Sequence, residues 1–126
     1  MLRSKQFRVN EAWMAIKLND SPLIGPDESY DVYVLMDVAS TYVFGHVFTP
    51  AADELPLEVD VEALFKDAWG TKKEWPKKLI VPENFLAKTV FRKQAEKHGF
   101  MFDTVPLSDL SLIVGPLKKS FASAFQ

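Results

Sequence analysis

Three acidic side chains, Asp20, Asp37 and Glu83, stand where predicted strands end or turn, so they could do metal chemistry. Carboxylate oxygens are the ligands that Mg²⁺ prefers, and Asp37 with Glu83, joined by Asp20, is a candidate set for one ion. Asp37 is also the one charge inside an apolar strand, where a carboxylate is costly unless it is paired. The alternative, which we favour, is structural: Asp37 hydrogen-bonds the turn at Ser40 and Thr41, and Glu83 favours a helix N-terminus.

The best candidate for a binding surface is a group of basic residues with an aromatic residue among them. Its members are Lys72, Lys73, Trp75, Lys77 and Lys78, followed on the next predicted helix by Lys88, Arg92 and Lys93. Single-stranded nucleic acid requires stacking on aromatic rings and neutralisation of phosphates, and this surface offers both. The alternative is that Trp75, beside Pro76, caps the hydrophobic core.

Other catalytic chemistries find little support in the sequence. The absence of cysteine excludes disulfides, thiolate zinc sites and a cysteine nucleophile. The two histidines, His46 and His98, have no partner at metal-ligand spacing. Ser40, Ser108 and Ser111 lack the sequence context of a nucleophilic serine, and no glycine-rich phosphate loop is present. We therefore expect no cofactor, and the sequence does not favour an enzyme.

Length and charge narrow the class of protein. The 126 residues predict one domain (1–126), and 48% hydrophobic residues are enough for a sizeable core. The net charge of -2 argues against indiscriminate binding to nucleic-acid phosphates. Residues 20–62 hold ten acidic and no basic residues, whereas residues 66–97 hold nine basic and four acidic. Two solvated faces of opposite charge are the simpler interpretation, and pairing of these faces in a homodimer is the alternative.

Cellular location is predicted from what the sequence lacks. Residues 1–20 have no unbroken apolar segment of the kind that signal peptides carry, and no stretch approaches the roughly 20 apolar residues of a membrane span. Together with the absence of cysteine, these features predict a soluble cytoplasmic protein with no membrane partner.

Apolar periodicity predicts an α/β order of elements. Residues 1–10 are expected to be a flexible lead-in. Residues 11–18 alternate as a strand does, although a two-turn helix capped by Asn10 is the alternative. Two strands at 30–39 and 42–49, joined by a tight turn, complete an antiparallel meander. The remaining predicted elements are a helix over 61–69 ending before Gly70, a strand at 79–81, a helix from 82–84 to Gly99, a strand over 100–105, and a helix from Ser108 broken at Gly115 and Pro116.

This order resembles the ribonuclease H-like fold, and the local sequence resembles its integrase and transposase catalytic cores. Trp13 to Ile16 falls where that family has W-x-x-D, and Val34 to Gly45 is similar to the hairpin that follows. Val81 to Phe85 stands where the family has a strand ending near S-D-N-G, and Leu117 with Lys118 resembles a pair after the family's last glutamate. Over Asn10 to about Phe121, the resemblance implies a mixed five-stranded sheet, with three antiparallel strands followed by helix, strand, helix, strand and helix.

The same resemblance speaks against the family's activity. That chemistry uses three carboxylates that converge on two divalent metal ions. The corresponding positions here are Ile16, Glu83 and a residue near Leu112, while Asp37 matches a hairpin aspartate outside the three. The resemblance therefore implies a degenerate active site and a non-catalytic binding or regulatory module with a protein partner. The alternatives are a nucleic-acid-binding accessory protein of a mobile element and a divalent-metal-dependent nuclease with an unusual carboxylate set.

Overall fold

The computed structural model describes residues 1–53 and 55–124, which form one mixed sheet covered by helices on both faces. The strands are β1 (Ala12–Lys17), β2 (Leu23–Ile24), β3 (Ser29–Asp37), β4 (Val43–Pro50), β5 (Lys78–Pro82) and β6 (Met101–Val105). The helices are α1 (Glu58–Lys72), α2 (Lys88–His98) and α3 (Ser111–Ala124). Short 3₁₀ turns occur at Ser4–Gln6, Ala51–Asp53 and Leu107–Leu110. Among these helices, none has the length and apolar character that crossing a bilayer requires.

The predicted α/β class is confirmed, with one strand more than expected. β3 pairs antiparallel with β1, β2 and β4, whereas β5 pairs parallel with both β1 and β6. The segment over 11–18 is a strand, so the helical alternative is wrong. The extra strand, β2, has two residues and falls in a proline-containing stretch that the sequence predicts as a loop.

The central strand β1 is buried on both faces, and this divides the hydrophobic core into two layers. Trp13 and Ala15 face α1 and α2, while Met14 and Ile16 face α3. All four side chains are at most 1% exposed. A strand in the interior of a sheet with helices on both sides has this uninterrupted apolar sequence because neither of its faces meets water.

Several predicted helix boundaries are wrong: α1 begins at Glu58 rather than at 61, and a 3₁₀ turn over Leu107–Leu110 precedes α3. α1 continues beyond Gly70 to Lys72, and Lys73 takes the left-handed cap position with a φ of 58°. α2 begins at Lys88 rather than at 82–84, because Pro82 still pairs with Val105 in the sheet. Two turns then bridge the gap, and Leu86 within them is 81% exposed.

The last helix is continuous where the sequence predicts a break. Pro116 lies inside α3 and cannot donate to the carbonyl of Leu112 one turn earlier. Leu112 is half-exposed, so water can reach the solvent side of the helix at this point.

The first ten residues contact the domain that follows them. The backbone N–H of Leu2 donates to the carbonyl of Asp109 at 2.8 Å. Leu2 and Phe7 also pack against the core layer beneath α3.

A buried asparagine side chain joins β1 to β2 along β3. Asn19 is 7% exposed, and its Oδ1 accepts the backbone N–H of Val32 at 2.8 Å. Its Nδ2 donates to the carbonyls of Tyr30 and Ser21, each at 3.0 Å. The side chain therefore supplies hydrogen bonds to β3 in the stretch between the positions that pair with β1 and those that pair with β2.

Replacing this side chain should destabilise the domain. In Asn19→Ala the Val32 N–H and the Tyr30 carbonyl lose their partners, and each buried group left unpaired costs about 1–3 kcal/mol. We expect the free energy of unfolding, measured by urea denaturation, to fall by about 2–3 kcal/mol. Ser21→Ala is the control, since only the backbone of Ser21 takes part. A loss below about 0.5 kcal/mol in Asn19→Ala would contradict the bridging role.

Candidate functional site

A cavity of about 280 Å³ lies at the carboxyl ends of β1 and β5 and is called the end cavity below. Its apolar wall consists of Ile16, Tyr33, Pro82, Phe85, Leu86, Leu107 and Val114. Its polar lining consists of Lys17, Asp20, Asp31, Asn84 and Lys118. Ligands of open α/β sheets commonly bind beyond the carboxyl ends of the strands, so this is the first place to look for a site.

Two ion pairs dominate the electrostatics of the end cavity. Lys118 Nζ donates to Asp20 Oδ1 at 2.7 Å, and this hydrogen bond holds the pKa of Asp20 below its ordinary value. Lys17 Nζ lies 3.7 Å from Asp31 Oδ1, a buried oxygen that accepts no hydrogen bond among the described residues. The two ammonium groups and the two carboxylates cancel, so the lining carries no net charge.

Lys17, Asp31 and Lys118 were not identified from the sequence as site residues. Lys17 pairs across the sheet with Tyr33, and Asp31 lies two residues further along the same face of β3. The β1–β3 register was the signal that could have found this pair, because diagonal neighbours on one face of a sheet interact. Lys118 reaches Asp20 from ninety-eight residues away, and no local pattern predicts that contact.

The structure assigns Asp37 to a turn, as the structural alternative predicts. Its Oδ2 accepts hydrogen bonds from the backbone N–H of Ser40 at 2.9 Å and from the Ser40 hydroxyl at 2.6 Å. Its Oδ1 accepts the backbone N–H of Asn10 at 2.7 Å. The fully buried carboxylate is therefore paired by three donors.

Comparison with known proteins gives structural neighbours only. No protein-family model and no curated protein sequence matches the chain. A chain of the simian T-cell lymphotropic virus intasome, solved in complex with the PP2A regulatory subunit B56 gamma, is 14% identical with a TM-score of 0.58, over 87% of this chain and 39% of that one. The HTLV-2 integrase catalytic core domain, in a dimeric form with magnesium, is 12% identical with a TM-score of 0.54, over 76% of this chain and 61% of that one.

The chain has the ribonuclease H-like fold. Identities this low support the fold and leave activity to be argued from the residues. The chain also spans less than two thirds of the length of either neighbour.

This ribonuclease H-like domain does not bring the candidate metal ligands together. Asp37 pairs with Trp13 whereas Ile16 pairs with Val34, so Asp37 stands about 10 Å along the sheet from the end cavity. Glu83 is exposed after β5 and is not part of the cavity lining, although its neighbour Asn84 is. Within the described residues, no group of three or more His, Cys, Asp or Glu side chains could hold a metal ion.

Of the three positions that correspond to the integrase carboxylates, only the first lines the end cavity. Ile16 lines it and is 1% exposed. Leu112 is half-exposed on α3 and does not line it, whereas Val114 and Lys118 of the same helix do. β1 therefore contributes Ile16 and Lys17 to the cavity lining, and α3 contributes Val114 and Lys118.

The proposed basic surface is divided between different parts of the fold. Lys78 lies 3.5 Å from Asp103 and close to the Phe7 ring, and Lys93 lies 3.6 Å from Glu58. Lys72 and Lys73 lie over aromatic rings at the end of α1. Lys88 begins α2, beyond the opposite end of β5. Two of the eight predicted residues, Lys78 and Lys93, therefore pair with acidic side chains among the described residues.

Trp75 packs against the hydrophobic core, as one of the two interpretations of the sequence predicts. Its ring stacks on His98 with a centroid distance of 3.9 Å and an interplanar angle of 15°. Trp75 also contacts the rings of Trp13 and Phe100. This stack packs the loop after α1 against the end of α2, and Trp75 is half-buried there.

Burial and the nearby Lys97 lower the pKa of His98 below its ordinary value, while Glu62 acts in the opposite direction. His98 Nε2 is buried and has no hydrogen-bond partner in the described part of the chain. Protonation of the ring in the folded state is therefore unfavourable, and burial lowers the pKa of His46 as well.

Asp37→Asn should test whether this carboxylate is structural. The amide would turn an NH₂ group toward backbone N–H donors, so we expect the free energy of unfolding to fall by about 2–3 kcal/mol. Urea denaturation measures the change, with the exposed Asp27→Asn as control. A manganese-dependent gain in stability that is present in the parent and lost in Asp37→Asn would instead identify a metal ligand.

His98 should make stability depend on pH below about 6.5, the ordinary histidine value. The unfolded chain binds the proton more readily than the folded chain, so the free energy of unfolding decreases as pH falls from about 7 toward the lowered pKa. We expect His98→Phe, which can keep the stack on Trp75, to flatten this decrease in urea titrations at several pH values. His46→Phe serves as the comparison, and an unchanged slope in His98→Phe would refute the assignment.

Proposed function

We propose that the chain is a non-catalytic ribonuclease H-like module that acts by binding a protein partner. The observation that carries this proposal is the lining of the end cavity, which is walled by Ile16 and Val114 and whose two carboxylates are each beside a lysine.

Two-metal phosphoryl transfer needs several carboxylates that share two cations and a place for the attacking water. The residues present do not fit such a site. Asp20 already accepts a hydrogen bond from Lys118, and Asp31 lies beside Lys17. An incoming divalent cation would have to displace or repel both ammonium groups, and Ile16 offers it no ligand.

A protein partner is supported by a second observation. The neighbours include a dimeric integrase core and an intasome bound to a protein subunit. Proteins with this fold therefore form protein–protein contacts. Nucleic acid is the weaker candidate, because the basic residues lie on different elements and two of them, Lys78 and Lys93, pair with acidic side chains.

A homodimer formed by pairing of the acidic and basic faces is also less well supported by the structure than by the sequence. Lys97 Nζ donates to Glu62 at 2.8 Å, and Lys66 lies 3.6 Å from the same carboxylate. Lys93 pairs with Glu58 at 3.6 Å. The acidic start of α1 and the basic α2 thus already pair within one chain, which leaves fewer charges for a partner copy.

The proposal predicts no divalent-metal-dependent cleavage of DNA or RNA. Purified protein is incubated with single- and double-stranded substrates in Mg²⁺ or Mn²⁺, beside Glu83→Ala and Ile16→Asp as variants. We expect background cleavage in all three, because a single added carboxylate does not complete a two-metal site. Metal-dependent cleavage by the parent that Glu83→Ala abolishes would establish the nuclease alternative and end this proposal.

A further inference from the structure

The sheet has three strands at its margins, and two of them are protected against pairing with another chain. β2 has only two residues and stands between Pro22 and Pro26. β6 carries Asp103 at its centre and is followed by Pro106. Short length, an edge charge and flanking prolines are the usual means by which proteins prevent further strands from adding to a sheet.

The third marginal strand, β4, lacks most of this protection. It has eight residues and pairs only with β3, so the main-chain groups along its outer side face no strand among the described residues. No charged residue occurs from 41 to 52. A bulge at Phe44 interrupts the register near one end, and the stretch from Gly45 to Thr49 runs in regular register beyond it.

An acidic groove follows β4 on the α1 side. This groove, of about 310 Å³, lies between residues 45–48 and the residues Asp60, Ala63, Leu64 and Asp67. Spacings of three, four and seven residues place these four side chains on one stripe of α1. Asp60 and Asp67 are exposed, and neither makes an ion pair with another described residue.

An apolar groove follows β4 on the α3 side. His46 and Phe48 form its floor, and Leu18, Leu117 and Phe121 contribute its wall, around a volume of about 330 Å³. Phe48 is 52% exposed although it lies in a regular strand. The two sides of the same strand therefore differ sharply in chemistry.

We infer that β4 docks an extended segment of a partner protein in which lysine or arginine alternates with apolar residues. Successive side chains of a strand point to opposite faces, so the basic ones would reach Asp60 and Asp67 while the apolar ones cover Phe48. Backbone hydrogen bonds to β4 supply affinity, and the two grooves supply specificity. This inference names the partner class of the proposed binding module and rests on that proposal.

A second copy of the chain fits this surface less well. In antiparallel pairing of β4 with its copy, a two-fold axis perpendicular to the sheet keeps both α1 helices on one face. Asp60 and Asp67 of each chain would then approach those of the other, and like charges brought together at an interface are unfavourable. A basic strand removes this repulsion.

The test uses a fluorescein-labelled peptide of four Lys-Val repeats and measures its binding to the full chain by fluorescence anisotropy. We expect saturable binding that weakens at least tenfold for a Glu-Val peptide. Binding should also be lost for the Lys-Val peptide N-methylated at two consecutive central residues, which blocks hydrogen bonding from both of its edges. If the N-methylated and unmodified Lys-Val peptides bound equally, charge attraction alone would explain the binding, and the inference would be overturned.

Variants of the protein test whether the peptide binds beside β4, at Asp60 and Asp67. Asp60→Asn with Asp67→Asn should weaken Lys-Val binding at least tenfold, whereas Asp27→Asn with Glu96→Gln, which changes the net charge equally at exposed positions elsewhere, should not. Circular dichroism confirms that each variant is folded. Equal effects of the two double variants would overturn the inference.

Gel filtration with light scattering tests whether a second copy of the chain occupies β4. A dimer that blocks peptide binding, and that Phe48→Lys converts to a monomer, would assign β4 to a second copy and overturn the partner class. Absence of peptide binding would refute the docking strand, while absence of metal-dependent cleavage would still support the non-catalytic role, so the two failures are distinguishable.

Discussion

Burial of the Trp13 indole is the constraint on which the rest of the structure depends. Its Nε1–H lies in the interior of the sheet and needs an acceptor, which Asn10 Oδ1 provides at 2.6 Å. Asn10 can turn toward it because asparagine tolerates the left-handed backbone found there, with a φ of 65°. The same residue gives its backbone N–H to Asp37, so one asparagine connects the buried tryptophan to the β3–β4 turn.

Aromatic rings from four parts of the chain then assemble around that indole. Phe44 of β4, Phe65 of α1, Trp75 of the following loop and Phe100 before β6 all lie within 6.3 Å of it, centroid to centroid. Packing of this kind adds to the stability that burial provides, and it depends on β1 holding one position. The Asp37 carboxylate therefore stabilises this aromatic cluster through Asn10, which bonds both Asp37 and Trp13.

The fold could be predicted from the sequence because its strands have clear apolar patterns. The site could not, because its side chains come together only through tertiary contacts. β3 and β4 follow directly from apolar runs and a turn, whereas β1 was predicted with a helix as the alternative. The element order led to the correct fold class. The start of α2 was missed because the pairing of Pro82 with Val105 is a tertiary contact that overrides the local preference. Asp20 of the end cavity was a candidate from the sequence, but its ion pairs were not predicted, since Lys17 with Asp31 and Lys118 with Asp20 meet only after the sheet and α3 are in place.

The asparagine bridge between β1 and β2 has a further consequence for local motion. Backbone ladders open cooperatively, but β2 pairs with β3 at two positions only. The side chain of Asn19 attaches the preceding loop, at Ser21, to β3. Segments held by few bonds open at a lower free energy than the whole domain. Asp20 belongs to this segment and carries the acidic half of one cavity ion pair. The rim of the end cavity can therefore open as a unit smaller than the domain, while Trp13 and its aromatic neighbours stay closed.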